Sequence, residues 1–128
     1  MRQHSKWRKS RLQSFLNAFR GLGYTLRTQP NAQIHVAVAS LVITFGFYVQ
    51  LTATEWCLVA LAAALVLGAE ALNTAVEVLT DLVSPDFHPL AGLAKDTAAG
   101  GVMACALGAA AVGLIIFVPY LYDIIFNR

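Results

Sequence analysis

Three long apolar stretches, at about 32–51, 56–81 and 97–118, limit this chain more than any other feature of its sequence. Each holds roughly the 20 mostly apolar residues that a helix needs to cross a bilayer. In water such segments would have to bury one another completely, and a chain of 128 residues with 58% hydrophobic and 12% charged residues has too little polar surface left to cover them. The sequence therefore predicts an all-α membrane protein in a single domain, residues 1–128, with residues 1–29 cytoplasmic or interfacial. The first stretch is read as a retained span rather than a cleaved signal peptide, because a long segment precedes it and its small residues Ala37 and Ala39 fall inside it.

Charge placement orients the spans. Net charge is only +2, yet Arg2, Lys6, Arg8, Lys9, Arg11, Arg20 and Arg27 all precede the first span. By the positive-inside rule the N-terminus is cytoplasmic, the turn around Thr52 to Glu55 lies outside, residues 82–95 return to the cytoplasm and the C-terminus ends outside. Tyr48, Trp56, Tyr120 and Tyr122 then mark the outer boundary as an aromatic belt. Ahead of the first span, Leu12, Phe15, Leu16, Phe19, Leu22 and Leu26 form one face of a helix, with Arg20 and Arg27 off that face. This is the pattern of an amphipathic helix lying in the headgroup layer, either as a plain anchor or as a cover for a site opening at the cytoplasmic surface. Gln29, Pro30 and Asn31 break it.

Helical periodicity in the second stretch continues from Trp56 to Val83, about 42 Å of axis, so its end emerges from the bilayer. On that helix Asn73, Glu77 and Asp81 fall at about −60°, −20° and +20° from Glu70, on one stripe about 16 Å long. A carboxylate at the depth of Glu70 costs a few kcal/mol unless paired, protonated or wetted, which makes it a functional candidate; the plain alternative is a protonated side chain bonded to a neighbouring helix. For Glu77 and Asp81 the plain alternative is a solvated helix end. Ser84, Pro85 and Asp86 end the helix and open a loop that carries His88, Pro89 and Lys95. Lys95 and Asp96 are expected at the start of the third helix, where free N–H groups favour a phosphate, or else serve as an interfacial anchor and cap. Mg²⁺ uses one or two protein carboxylates and completes its shell with water and phosphate, so the inventory suits a metal–nucleotide complex. Neither GxxxxGK[ST] nor GxGxxG is present. Small residues Gly100, Gly101, Ala104, Gly108, Ala109 and Gly113 are expected to permit close helix contact, and for Cys57 and Cys105, which lack CxxC or metal-ligand spacing, ordinary buried packing weighs at least as much as a redox role.

The run Glu70-Ala-Leu-Asn73-Thr-Ala-Val-Glu77-Val-Leu-Thr-Asp81, followed by Phe87-His88-Pro89-Leu90-Ala91 and Ala94-Lys95-Asp96-Thr-Ala-Ala-Gly100, resembles the bacterial diacylglycerol kinase and undecaprenol kinase family of small trimeric membrane enzymes. The likeness extends from about Ser14 to Gly113. It implies a homotrimeric, multi-pass lipid kinase of the bacterial cell membrane that transfers the γ-phosphate of ATP to a lipid alcohol with Mg²⁺, and it implies no nucleic-acid partner. It further implies Glu70 as general base, Glu77 as Mg²⁺ ligand, and Asn73, Glu77, Asp81, His88, Lys95 and Asp96 as positioning the metal–nucleotide. The chain departs from the pattern at Gln29, where the family commonly has a metal-binding glutamate; an amide oxygen can still ligate Mg²⁺ but brings no charge. His35, with Asn31, Ile34 and Thr54-Glu55-Trp56, follows the undecaprenol kinase branch, so undecaprenol is the expected substrate and diacylglycerol the alternative. Two other readings are a proton-coupled transporter using Glu70 as a relay, which requires no Lys95-Asp96 cluster, and a non-enzymatic membrane scaffold.

Overall fold

The computed structural model describes residues 11–127, and the basic residues Arg2, Lys6, Arg8 and Lys9 lie outside them. Four helices follow one another: α1 (Arg11–Thr28), α2 (Pro30–Val49), α3 (Ala53–Val83) and α4 (Pro89–Phe126), with no strand among the described residues. The last three are long and apolar enough to cross a membrane. This is the expected architecture of one amphipathic helix and three spans.

Helix α1 is nearly continuous with α2. Gln29 sits at the break with φ −107° and ψ 108° because the residue before a proline is driven out of the helical region, and Pro30 then opens α2, where its missing N–H costs nothing. Helical hydrogen bonds still bracket the break, Gln29 N–H donating to Thr25 and Gln33 N–H donating to Gln29. On α1 the apolar row of Leu12, Phe15 and Phe19 stands exposed, while Thr25 is buried where α1 packs against α2 and α3. An apolar face turned away from the protein is what a helix resting on lipid presents.

Between α2 and α3 the chain turns through Gln50, whose left-handed φ of 61° closes the end of α2. Thr52 and Glu55 then form a capping box at the start of α3, each side chain bonding the other's backbone N–H. Just beyond the turn lies the apolar cluster of Leu51, Val59, Ile116 and Phe117, bordered by Phe45, Trp56 and Tyr120. Gly46 is needed there, because a Cβ on it would lie 2.9 Å from both Leu51 Cδ1 and Trp56 Cη2. Tyr120 also donates from its hydroxyl to Glu55 at 3.0 Å, tying α4 to the start of α3. Trp56 and Tyr120 of the expected aromatic belt thus meet at one end of the bundle.

Several expectations change. Helix α4 starts at Pro89 rather than near residue 97, because Pro89 is a good first helical residue and His88 caps it by accepting the Leu90 N–H at its Nδ1, 3.2 Å away. It also runs past 118, through Pro119, to Phe126. The expected loop over 82–95 therefore shrinks to residues 84–88, and Lys95 and Asp96 sit within the helix instead of on its free N–H groups. The glycines of α4 do not seal a contact within the chain: a Cβ on Gly100, Gly101, Gly108 or Gly113 would meet nothing within 4 Å. Cys57 is exposed and Cys105 half-buried on this chain, so Cys57 is not a core packing residue here.

Candidate active site

The periodic stripe on α3 is graded by burial. Glu70 is 1% exposed, the most buried of the large side chains, and Asn73 and Thr74 beside it are also buried. Glu77 is half-buried and Asp81 is exposed. One helix face thus runs from a sealed carboxylate to a solvated one.

Each level of the stripe meets a different element. Deepest, Glu70 Oε1 lies 3.4 Å from His35 Nε2 on α2, close enough for ion pairing should the imidazole be protonated, yet outside hydrogen-bond geometry. Glu70 Oε1 and Asn73 Oδ1 are accordingly buried acceptors without a hydrogen-bond partner, an arrangement that is expensive in a bundle core and common at sites that await a ligand. Both residues line a cavity of about 190 Å³ together with Asn31, His35 and, from α4, Ala99 and Met103.

One to two turns further along, Glu77 receives two amide donors, Gln29 Nε2 at 2.6 Å and Asn73 Nδ2 at 3.2 Å. The break before Pro30 is what brings the Gln29 side chain to α3. Outermost, Asp81 accepts from Lys95 Nζ across the α3–α4 turn. The remaining two expected residues stand apart: the His88 ring caps α4, and Asp96 is exposed on the next helical direction from Lys95. Among the described residues no three His, Cys, Asp or Glu side chains gather into a ready metal cage.

A second, larger cavity of about 370 Å³ adjoins the first. It is an apolar groove between α2, α3 and α4, lined by Val38, Val42, Val59 and Val66 and by alanines of α3 and α4, among them Ala63 and Ala109. His35 and Ala106 line both spaces. Of the small residues of α4, Ala109 and Gly113 line this groove, whereas Gly101, Ala104 and Gly108 lie exposed on the outer side of the helix.

Residues 16–117, which carry all of these side chains, match the family model for prokaryotic diacylglycerol kinase. The chain belongs to that family. It is 44% identical over 108 residues to the undecaprenol kinase of Bacillus subtilis (strain 168), covering 84% of this chain and 88% of the relative. It is also 40% identical over 114 residues to a diacylglycerol kinase of Synechocystis sp. (strain ATCC 27184 / PCC 6803 / Kazusa), covering 88% of this chain and 65% of that one. The protein is thus a lipid kinase, a multi-pass membrane enzyme of phosphoryl transfer.

Two residues that line the Glu70 cavity, Asn31 and His35, have no site role in the sequence reading. His35 was legible only as a mark of one branch of the family, whereas it is the nearest basic group to Glu70. Its signal was present as an imidazole inside an otherwise apolar span, the kind of intramembrane ionisable group that marks a site.

Proposed function

We infer that this lipid kinase transfers the γ-phosphate of ATP to the hydroxyl of a long-chain membrane alcohol, with undecaprenol favoured over diacylglycerol. The observation that carries this reading is the junction of the apolar groove with the cavity that holds Glu70. An isoprenoid tail suits an alanine- and valine-lined groove, and its single hydroxyl then arrives beside a carboxylate shielded from bulk water. The likeness to the Bacillus subtilis undecaprenol kinase supports the same choice.

In this reading Glu70 is the general base. It takes the proton of the lipid hydroxyl as the oxygen attacks the γ-phosphorus; the bond from that phosphorus to the β,γ-bridging oxygen breaks, and ADP leaves. Phosphoryl transfer asks a protein mainly for positioning and for neutralisation of spread negative charge. Lys95 supplies one positive charge at the aqueous end, released from Asp81 toward phosphate, and Asp81, His88 and Asp96 border the same end of the α3–α4 hairpin. Asn73 touches both levels, lining the Glu70 cavity while donating to Glu77.

The donor set fits Mg²⁺ that arrives with the nucleotide. Glu77 offers one carboxylate, and a half-turn of the Gln29 or Asn73 amide would exchange its NH₂ for its carbonyl oxygen; Asn73 Oδ1 is already an unpartnered buried acceptor. Glu77, Asn73 and Gln29 would hold the ion, which when bound neutralises phosphate charge. With the groove open along one chain and apolar side chains such as Leu107, Leu114 and Ile115 exposed, a homotrimer in the bacterial cell membrane suits the enzyme, with the N-terminus cytoplasmic and the C-terminus outside.

The test is purified full-length protein in mixed micelles with Mg²⁺ and labelled ATP, offered undecaprenol and diacylglycerol separately. Faster transfer to undecaprenol is expected. Preference for diacylglycerol would overturn the substrate choice, and no transfer to either lipid by folded protein would overturn the catalytic assignment.

A further inference from the structure

His35 occupies the place where the tail groove and the polar cavity meet. Apart from Trp56, it is the only groove-lining residue with a polar atom on its side chain. Its own side chain is 26% exposed, whereas that of Glu70 is 2% exposed. The other polar groups of the stripe are engaged elsewhere: Gln29 and Asn73 donate to Glu77, and Lys95 donates to Asp81. Of the residues around the cavity, those contributed by α4 are Ala99, Val102, Met103 and Ala106, none of which can hold a carboxylate. That leaves Asn31 and His35 of α2, and of these two it is His35 whose Nε2 stands 3.4 Å from the Glu70 oxygen that has no hydrogen-bond partner. A shift of a few tenths of an ångström, or a small turn of the ring, makes the bond.

We propose that His35 is a positioning residue for phosphoryl transfer: its Nε2–H holds the Glu70 carboxylate toward the end of the tail groove, where the lipid hydroxyl stops. The proposal rests on the reading of Glu70 as the base. A glutamate has three rotatable side-chain bonds, and a general base displaced by about 1 Å can lose on the order of 100-fold in rate. Unheld in an apolar span, Glu70 would spread over several rotamers. Held from the groove side, it presents its second oxygen to the space that the hydroxyl enters. His35 thereby links substrate entry on α2 to chemistry on α3, and it does so without touching the nucleotide end.

The experiment compares wild type, His35→Leu, His35→Gln and Glu70→Gln as full-length proteins in mixed micelles. Turnover is measured against ATP and against lipid alcohol in separate titrations. Leucine keeps the groove apolar and filled but removes the donor; glutamine restores an N–H near the position of Nε2. His35→Leu is expected to lower kcat by about 10- to 100-fold with the KM for ATP unchanged, and His35→Gln to recover kcat to within about threefold of wild type. Wild-type kcat in His35→Leu would overturn the proposal, as would equal losses in the Leu and Gln variants, which indicate packing alone. A His35→Leu loss accompanied by a raised KM for ATP would also count against it, since that signals general damage to the site. Glu70→Gln separates the two readings: if it stays active, the assignment of the base fails, whereas an inactive Glu70→Gln beside a fully active His35→Leu sinks only the role of His35.

Discussion

Near its start, α3 packs Trp56 and Val59 against Leu51, Ile116 and Phe117, and its buttressing polar groups are paired: Thr52 and Glu55 cap the helix, and Tyr120 bonds to Glu55. Near its other end the same helix buries Glu70 and Asn73 with acceptor atoms left unpartnered, beside the smaller cavity, while the larger groove runs between the two regions and is bounded at the packed one by Trp56 and Val59. The first region is close-packed, down to a glycine at α2 that admits no extra carbon. The second is loosely filled and lined by alanines. On the proposed reading, packing and chemistry lie toward opposite ends of one helix, so substitutions at the two ends should separate in what they change.

The largest effect is expected at the polar end. Glu70→Gln should lower turnover by about 1,000-fold, within the range that a general base contributes, while thermal denaturation in detergent shows the fold as stable as wild type or more so. A simultaneous loss of stability would break the contrast. Next comes the packed end: Gly46→Val drives a side chain into Leu51 and Trp56 and should destabilise by about 1–3 kcal/mol, with normal turnover in the molecules that remain folded. Kinetics and melting on the same preparation check both halves of that statement. Lys95→Met removes the partner of Asp81 and should raise the KM for ATP about tenfold, about 1.4 kcal/mol, leaving the KM for lipid unchanged. Smallest is Gln29→Glu, expected to lower the Mg²⁺ concentration for half-maximal activity several-fold, because a second charge joins Glu77. An unchanged Mg²⁺ requirement would mean that the ion is held almost wholly by nucleotide and Glu77.

Much of this was readable from spacing. The stripe of Glu70, Asn73, Glu77 and Asp81 follows from 3.6-residue periodicity, and its grading by burial follows from where the apolar run of α3 thins out. Relations between helices were harder to read. The approach of His35 to Glu70 depends on the rotation and height of α2 against α3, which no local pattern encodes. From sequence, the signals at Pro85 and Pro89 merge into one long loop and put Lys95 on a helix N-terminus, although Pro89 in fact opens the helix. The small residues of α4 permit either close contact or a cavity, and only the assembled bundle shows Ala109 and Gly113 on the groove and Gly101 and Gly108 on the outer surface.

The short turn at residues 84–88 has a consequence for how such an enzyme can diverge. It joins α3 to α4 so tightly that Glu70, Asn73, Glu77, Asp81 and Lys95 are all carried by one hairpin, whereas Gln29 and His35 come from the chain on either side of Pro30. If the hairpin handles the phosphate as proposed, inheritance can hold it constant and vary the strip around Pro30, changing which alcohol is accepted or how much metal is needed without rebuilding the transfer reaction.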